Sequence, residues 1–237
     1  MLGKTHKYVG TCCGILAAEQ LIISNIDSIN MNNMIVSGML ISGSIFGSLA
    51  LDIDKVESKA GHKFPLLAKI ISNLCGHRGI THTPLLWLLL CSLFIFLGYN
   101  MQENHLILIT CILSCFIFYE LSLTLIKIFT KNKILKPLFS LIIGISITYI
   151  LYNQGITLIQ TSYNYIIIGI FIGALSHVFL DFFNPMGVPL LFPIKRRKYR
   201  FLKVSEAAGP IFSFIFTILV LLNTINIYMG GSLWEII

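Results

Sequence analysis

Charged residues are scarce in this sequence. They make up 11% of its 237 residues, whereas hydrophobic residues make up 56%. A soluble domain carries about a quarter charged residues, because its surface has to face water. The scarcity of charge therefore excludes an ordinary soluble domain and predicts a membrane protein. The length suits one compact helical bundle, so we expect a single membrane-embedded domain over residues 1–237.

A Cys-x-x-Cys pair is also missing, and the sequence has neither an internal repeat nor a low-complexity tail. The six cysteines lie mostly in apolar segments. Their spacing argues against a disulfide framework and against a thiolate-bound metal. We interpret them as small packing residues.

Seven apolar stretches come close to the roughly 20 residues that a helix needs to cross the hydrocarbon core of a bilayer. They predict an all-α, polytopic transmembrane helical bundle of about seven spans. The first stretch is the weakest, because it contains Glu19. The predicted spans are 8–24, 33–51, 84–100, 106–128, 137–153, 163–183 and 207–229.

Lys and Arg are absent from every second connection between these spans. All 17 fall into four blocks: before the first span, in a loop at about 52–83, around the end of the fourth span, and in a segment at about 184–206. By the positive-inside rule, the side that holds them is cytoplasmic, which leaves the N-terminus inside and the C-terminus outside. We therefore expect a multi-pass protein of the bacterial cytoplasmic (inner) membrane.

These basic blocks explain the net charge of +7 without a nucleic-acid partner. Within the loop, the stretch 64–71 mixes apolar residues with one lysine and predicts a short interfacial helix. The segment at about 184–206 combines apolar residues with a basic run, which suits a platform on anionic headgroups. We expect membrane lipids as partners and no nucleic acid, and the oligomeric state stays open.

Histidine and aspartate residues gather at the cytoplasmic ends of the predicted spans. Four segments that are far apart in the sequence bring imidazole and carboxylate groups to one membrane depth. Ionisable groups at the membrane edge are costly and tend to mark function, so we predict a metal centre there. The predicted metal ligands are His6, Asp52, Asp54, His77, His82, His177 and Asp181.

Two spacings within this set are informative. His177 and Asp181 stand four residues apart, which places them on one helix face about 5–6 Å apart at Cβ. Such a pair can bind one metal, or one member can orient the other. Asp52 and Asp54 follow the second span, and of the two we favour Asp52 as the closer ligand.

The segment 76–83 carries the most distinctive local pattern, Gly-His-Arg-Gly-Ile-Thr-His-Thr. Its glycines permit backbone angles that other residues resist, as in a tight loop built around a site. Arg78 can form paired hydrogen bonds to a phosphate or a carboxylate. We therefore predict Arg78, Asp54 and Thr81 as catalytic residues.

Four other ionisable residues stand apart from these motifs. His62 and His105 have no partner motif, and we exclude them from the site. Glu19 and Glu120 lie within apolar spans. A hydrogen-bonding role, a proton relay and a further metal ligand all stay open for these two.

These motifs, in this order, resemble the YdjM-like family, described as LexA-binding, inner-membrane-associated metal-dependent hydrolases. The family pattern is an early His, Leu-Pro-Asp-Ile-Asp, Gly-His-Arg-Gly-x-Thr-His-Ser, and Ser-His-x-x-x-Asp followed by Gly-Val-x-Leu-x-x-Pro. The chain departs from it at 50–51, where Ala-Leu replaces Leu-Pro, and at Thr83, which replaces Ser. The match is carried by His6, Asp52, Asp54 and residues 77–83, 176–181 and 187–193.

That family looks distantly similar to the all-helical zinc phospholipase C and single-strand nuclease superfamily, and the resemblance implies phosphoester hydrolysis. We therefore predict a hydrolase that acts on a lipid or lipid-linked phosphoester through a metal-activated water. The expected metal is Zn²⁺, with Mn²⁺ or Fe²⁺ as alternatives. The rival hypotheses are a metal-ion or solute transporter, a metal-containing regulatory membrane protein, and a lipid-directed zinc amidase.

Overall fold

The computed structural model of the chain describes residues 3–23, 30–75, 79–192, 194, 197–201 and 208–229. Regular structure in these ranges is helical, as predicted, apart from an antiparallel bridge between Val188 and Tyr199. The helices are α1 (Gly3–Leu21), α2 (Met31–Ala50), α3 (Lys59–Lys63), α4 (Pro65–Cys75), α5 (Pro84–Asn100), α6 (Glu103–Phe129), α7 (Leu135–Tyr152), α8 (Ile156–Phe182) and α9 (Gly209–Tyr228).

Among the described residues, five helices are long and apolar enough to cross a membrane. They are α2 with the turn that follows it, α6, α7, α8 and α9. Each corresponds to one of the predicted spans. Helix α5 is apolar but has only 17 residues, and α1 carries two lysines and a glutamate. The total of seven spans and the sides of the two termini therefore stay predictions.

The predicted start of the sixth span is wrong by about two turns, because α8 begins at Ile156 rather than at 163. Hydropathy does not predict the first turns of this helix, because they contain polar side chains. These side chains bond to the helix itself, as when Thr161 Oγ1 donates to the Thr157 carbonyl at 2.8 Å. Gly155, at a φ of 90°, supplies the left-handed backbone that precedes the helix.

At the centre of the bundle α2 crosses α8, and the two backbones touch without side chains between them. Each helix carries two glycines four residues apart, a spacing that lets membrane helices approach closely. A Cβ on Gly47 would overlap the carbonyl of Ile170, and one on Gly173 would overlap the carbonyl of Ser44. These contacts fix the register of α8 against α2 close to the polar ends of both helices.

Helix α1 packs into this pair along small residues as well. Ser44 Oγ of α2 donates to the carbonyl of Gly10 at 2.7 Å. Helix α9 packs on α1, α5 packs on α8, and α6 and α7 pack on each other beside α8. Helix α1 begins, and α2 and α8 end, at one end of the bundle, which we call the ligand end.

The connection between α2 and α5 is structured and contains the predicted interfacial helix, which is α4. A 3₁₀ turn over Leu51–Asp54 follows α2, and a second over Ile80–His82 precedes α5. Helix α4 leaves apolar side chains exposed, among them Leu66. Lys63 of α3 pairs with Glu120 of α6, which holds this connection against the bundle.

Candidate metal centre

Asp181 lies among three histidines, and we call the four residues His6, His82, His177 and Asp181 the histidine cluster. Asp181 Oδ1 is 3.6 Å from His6 Nε2. Its Oδ2 is 3.5 Å from His82 Nε2 and 3.6 Å from His177 Nε2. All four side chains are buried. Helix α1, helix α8 and the 3₁₀ turn before α5 supply them, so segments remote in sequence meet at the ligand end.

Helix α8 presents His177 and Asp181 on the same face as its packing glycines, Gly169 and Gly173, because these four positions are spaced by four residues. The glycines press this face against α2, so His177 reaches the last turn of α2. His177 Nδ1 lies 2.7 Å from the carbonyl of Ser48. A carbonyl only accepts, so Nδ1 carries a proton, and in the neutral imidazole the lone pair is therefore on Nε2.

Helix α1 places His6 against His177. The two imidazole rings are stacked, with centroids 3.8 Å apart and planes inclined by 15°. His6 Nδ1 and His177 Nε2 are buried and make no hydrogen bond with any described residue. Such an unpaired group costs about 1–3 kcal/mol. Both histidines also have a ligand atom within 4.8 Å of an Asp181 oxygen, an arrangement that suits a metal ligand set.

His82 is supported from behind by a series of polar contacts. Its Nδ1 lies 3.1 Å from Asp54 Oδ2, and Thr81 Oγ1 donates to the same oxygen at 2.8 Å. Trp87 Nε1 in turn donates to the Thr81 carbonyl at 2.7 Å. Burial alone lowers the pKa of His82, but the carboxylates of Asp181 and Asp54 outweigh burial and raise this pKa above its ordinary value. Protons would therefore compete with any metal for this imidazole.

Asp52 and Asp54 share one 3₁₀ turn but face different parts of the site. Asp54 is fully buried behind His82. Asp52 is 26% exposed, and its Oδ1 lies 3.9 Å from His177 Nε2. This geometry favours Asp52 as a direct ligand and Asp54 as the group that orients His82. The role of each aspartate stays a prediction.

The donor set fits a divalent metal ion. Ligand atoms of His6, His177 and Asp181 all lie within 4.8 Å of one another. The separations of 3.5–3.6 Å between the carboxylate oxygens and the imidazole nitrogens are close to the spacing of a zinc site. Tetrahedral ligands at about 2.0–2.1 Å from zinc stand roughly 3.3 Å apart. Imidazole suits zinc and iron, and carboxylate also suits manganese.

The predicted site residues that fall in the described part of the chain all come together at the ligand end. His77 and Arg78 lie outside the described residues, so their roles as ligand and anion-holding group stay predictions. Thr81, predicted as catalytic, holds Asp54 and lies 3.2 Å from His82 Nδ1. In this geometry it is a positioning residue.

Two further residues take part that the sequence reasoning missed. Ser48 contributes only its carbonyl, which no side-chain pattern reveals, and Trp87 contributes its indole N–H. The sequence did hold one usable signal for the contact of α8 with α2. Gly173 precedes His177 by four residues, so the residue that permits close helix contact lies on the ligand face.

Comparison with known proteins assigns the chain to a family. The family described as YdjM inner membrane protein matches residues 1–127 and 137–235. The uncharacterized protein YvsG of Bacillus subtilis (strain 168) is 44% identical over 52 residues, which cover 22% of this chain and 32% of that relative. No solved structure matches the chain. The family match covers nearly the whole chain, which therefore belongs to the YdjM family and, with its apolar helices, is a multi-pass inner membrane protein.

Proposed function

We propose that this member of the YdjM family is a metal-dependent hydrolase that cleaves a phosphoester bond of a lipid or lipid-linked substrate at the cytoplasmic membrane interface. One observation carries the proposal. Three imidazoles converge on one buried carboxylate, while His6 Nδ1 and His177 Nε2 have no hydrogen-bond partner among the described residues.

The histidine cluster would hold the ion, and Asp52 would add a carboxylate from the exposed side. A bound divalent ion supplies Lewis acidity and a water molecule of lowered pKa. Zn²⁺ is our first choice, because histidine and carboxylate ligands are common in zinc enzymes. Mn²⁺ and Fe²⁺ are the alternatives that the same donor atoms accept.

Residues of the chain prepare the site for this reaction. The Ser48 carbonyl fixes the ring of His177 through Nδ1, and Asp54 fixes the ring of His82 in the same way. Both contacts leave Nε2 directed at Asp181. Asp52 Oδ1 faces His177, so its second carboxylate oxygen, at the solvent-accessible edge, would take a proton from the attacking water. The water oxygen bonds to phosphorus, the ester P–O bond breaks, and the alcohol leaves with that proton.

The surroundings of the site support a lipid phosphate as substrate. Arg197, Lys198 and Arg200, on the segment that follows α8, line a polar pocket of about 340 Å³. Cationic side chains of this kind bind phosphate through charge-assisted hydrogen bonds and attract anionic headgroups. An amide substrate would not need them, which is why we favour a phosphoester.

Metal analysis of the purified protein tests the first step. We expect the wild type to carry stoichiometric zinc, manganese or iron. The metal content of His177→Ala and of Asp181→Ala should be more than about tenfold lower, since each substitution removes a ligand. His62→Ala, an exposed histidine in α3, is the matched control and should keep the wild-type content. Equally low metal content in all four proteins would rule out the proposal.

Turnover then separates an enzyme from its rivals. Metal-loaded wild type should hydrolyse bis(p-nitrophenyl) phosphate, and His177→Ala should be inactive. Cleavage of a p-nitrophenyl amide instead would support the amidase. Stable metal binding without either reaction would favour a regulatory protein, and metal uptake by proteoliposomes would favour a transporter. Each of these last three results would contradict the proposal.

A further inference from the structure

A crevice with apolar walls lies between α5 and α6, and α8 forms its floor. Its volume is about 420 Å³, and its walls include Trp87, Ile109 and Ile167. Leu97, also on its wall, is 42% exposed. The crevice therefore opens sideways, onto the part of the surface that faces lipid.

The polar atoms on these walls are already engaged. Trp87 Nε1 donates to the Thr81 carbonyl, and the hydroxyl of Tyr163 donates to the Phe94 carbonyl at 2.9 Å. A ligand in the crevice would therefore gain dispersion contacts rather than hydrogen bonds. Hydrocarbon meets this requirement, whereas ordered water needs two to four polar partners.

The packing of its two walls keeps the crevice open. Helix α5 is fixed to α8 by the bond between Tyr163 and Phe94 and by Gly98, where a Cβ would overlap the Tyr163 ring. Helix α6 packs on α8 and on α2, for example through Phe116 of α6 and Phe46 of α2, whose ring centroids are 5.8 Å apart. Neither wall can close on the other without breaking such contacts.

One end of the crevice adjoins the histidine cluster. Trp87 on its wall bonds to Thr81, which holds Asp54 behind His82. The other end reaches Met101, about 21 Å further along α5 at 1.5 Å per residue. The hydrocarbon core is about 30 Å thick. A chain that follows the crevice from the site therefore passes the middle of the bilayer.

The volume of the crevice limits how many chains it can hold. A methylene group takes up about as much space as a water molecule, roughly 30 Å³. By that measure 420 Å³ holds one chain of about 14 carbons. Because the crevice opens sideways, any second chain of the same lipid would stay in the bilayer.

A cationic pocket supplies the complementary charge for the head of the same molecule. Arg197, Lys198 and Arg200 line it. The segment that carries it is fastened to the ligand end, because its Val188 is buried in an apolar cluster against which Trp87 also packs. This apolar cluster thus joins the cationic segment to the Trp87 end of the crevice, which suits a phosphate joined to a hydrocarbon chain.

We infer that the crevice binds one hydrocarbon chain of the substrate, and that the substrate is a phosphate ester with at least one long chain. This inference rests on the proposed function. The chain lies along α5 towards Met101, and the phosphate lies between the histidine cluster and the cationic pocket.

Binding of alkyl phosphates in one fixed detergent tests the chain site. Hexadecyl phosphate and octyl phosphate are titrated into wild type, Ile109→Trp and Leu108→Trp. Ile109 lines the deeper part of the crevice, whereas Leu108 is 57% exposed and is not on its wall. Ile109→Trp should lower the affinity for hexadecyl phosphate at least about tenfold, since several methylenes lose their site. The affinity for octyl phosphate should stay within about twofold of the wild type. Leu108→Trp should change neither affinity.

Octyl phosphate binding also reports whether Ile109→Trp folds. If Ile109→Trp does not fold, Ile109→Ala gives the answer, because it removes wall atoms that contact only the longer chain and should lower the preference for hexadecyl over octyl phosphate. Equal losses in the two tryptophan variants would overturn the inference. So would equal wild-type affinities for the two phosphates after correction for their partition into detergent.

Phosphate release distinguishes this inference from the proposed function. If hexadecyl phosphate binds in a manner that depends on Ile109 but no ester is hydrolysed, the result supports the chain-binding site and contradicts the proposed hydrolase activity. The opposite result is that the wild type hydrolyses phosphoesters and both tryptophan variants release phosphate from hexadecyl phosphate at the wild-type rate. That result supports the hydrolase activity and contradicts the chain-binding site.

Discussion

Two polar clusters, each with a buried carboxylate, involve the same helix, α1, about 20 Å apart at 1.5 Å per residue. At the ligand end, His6 belongs to the histidine cluster. Towards the other end, Glu19 contacts α9, and we call the residues Glu19, Gln20, Asn223 and Thr224 the Glu19 cluster. Both carboxylate oxygens of Glu19 accept a hydrogen bond: Oε1 accepts from Thr224 at 2.5 Å, and Oε2 accepts from Asn223 at 2.7 Å.

The two clusters differ in whether their polar atoms are paired. The Glu19 cluster joins two helices through hydrogen bonds, whereas the histidine cluster has unpaired nitrogens that suit a ligand. A bonded carboxylate between α1 and α9 matches the polar contacts that join membrane helices. In the histidine cluster, by contrast, His6 Nδ1 and His177 Nε2 have no hydrogen-bond partner among the described residues. Burying such atoms costs stability, and binding of the proposed metal would offset that cost. Of the roles left open for Glu19, the geometry supports hydrogen bonding.

The largest effect on stability and on metal content should come from a substitution where α2 crosses α8. Gly47→Leu places a side chain where the carbonyl of Ile170 lies, so the two helices must separate. We expect a loss of about 3 kcal/mol or more in the free energy of unfolding. Metal should be lost as well, because Ser48 would move away from His177. Denaturant titration in detergent and metal analysis measure the two effects.

Gly38→Leu is the matched control on the same helix, since a Cβ there meets nothing within 4 Å. Its stability should stay within about 0.5 kcal/mol of the wild type, and its metal content should not change. If the two leucine variants behave alike, the close contact between α2 and α8 does not hold the site together.

Helix type and the places of the candidate ligands could be predicted from the sequence, because both depend on local spacing. Long apolar runs predicted α6, α7 and α9, and the four-residue step from His177 to Asp181 predicted their shared face. Hydropathy missed the start of α8 at Ile156, because polar residues occupy its first turns. It also missed the crossing partner of α8. That contact depends on glycines such as Gly47, which add little to an apolar pattern.

The inner arrangement of the site could not be predicted, because it depends on backbone groups and on distant segments. The carbonyl of Ser48 that orients His177 would be present with any residue at that position. The separate environments of Asp52 and Asp54 arise from the 3₁₀ turn and from the approach of Thr81 along another part of the chain. Spacing within one segment carries no information on either point.

An intermediate effect should follow from loosening the support of His82 while keeping every candidate ligand. Thr81→Val removes the hydroxyl that donates to Asp54 but keeps the shape of the side chain. We expect metal affinity to fall about 10–100-fold, as for other groups that orient a metal ligand. Competition with a chelator of known affinity measures the change.

Thr81→Ser is the control for this variant, because it keeps the hydroxyl and should keep metal affinity within about threefold of the wild type. A Thr81→Val protein that binds metal as tightly as the wild type would show that the contact with Asp54 does not position His82. In that case the predicted catalytic role of Thr81 would need another basis.

The smallest effect should come from the Glu19 cluster. Glu19→Gln removes the charge, keeps one acceptor oxygen, and lets the hydroxyl of Thr224 turn and accept from the new amide. About one hydrogen bond is weakened, which between membrane helices is worth roughly 0.6 kcal/mol. Metal content should not change, because the cluster lies about 20 Å from His6 along α1. If Glu19→Gln instead lost as much metal as expected for His177→Ala, the two clusters would belong to one ion path. That result would favour the transporter over the hydrolase.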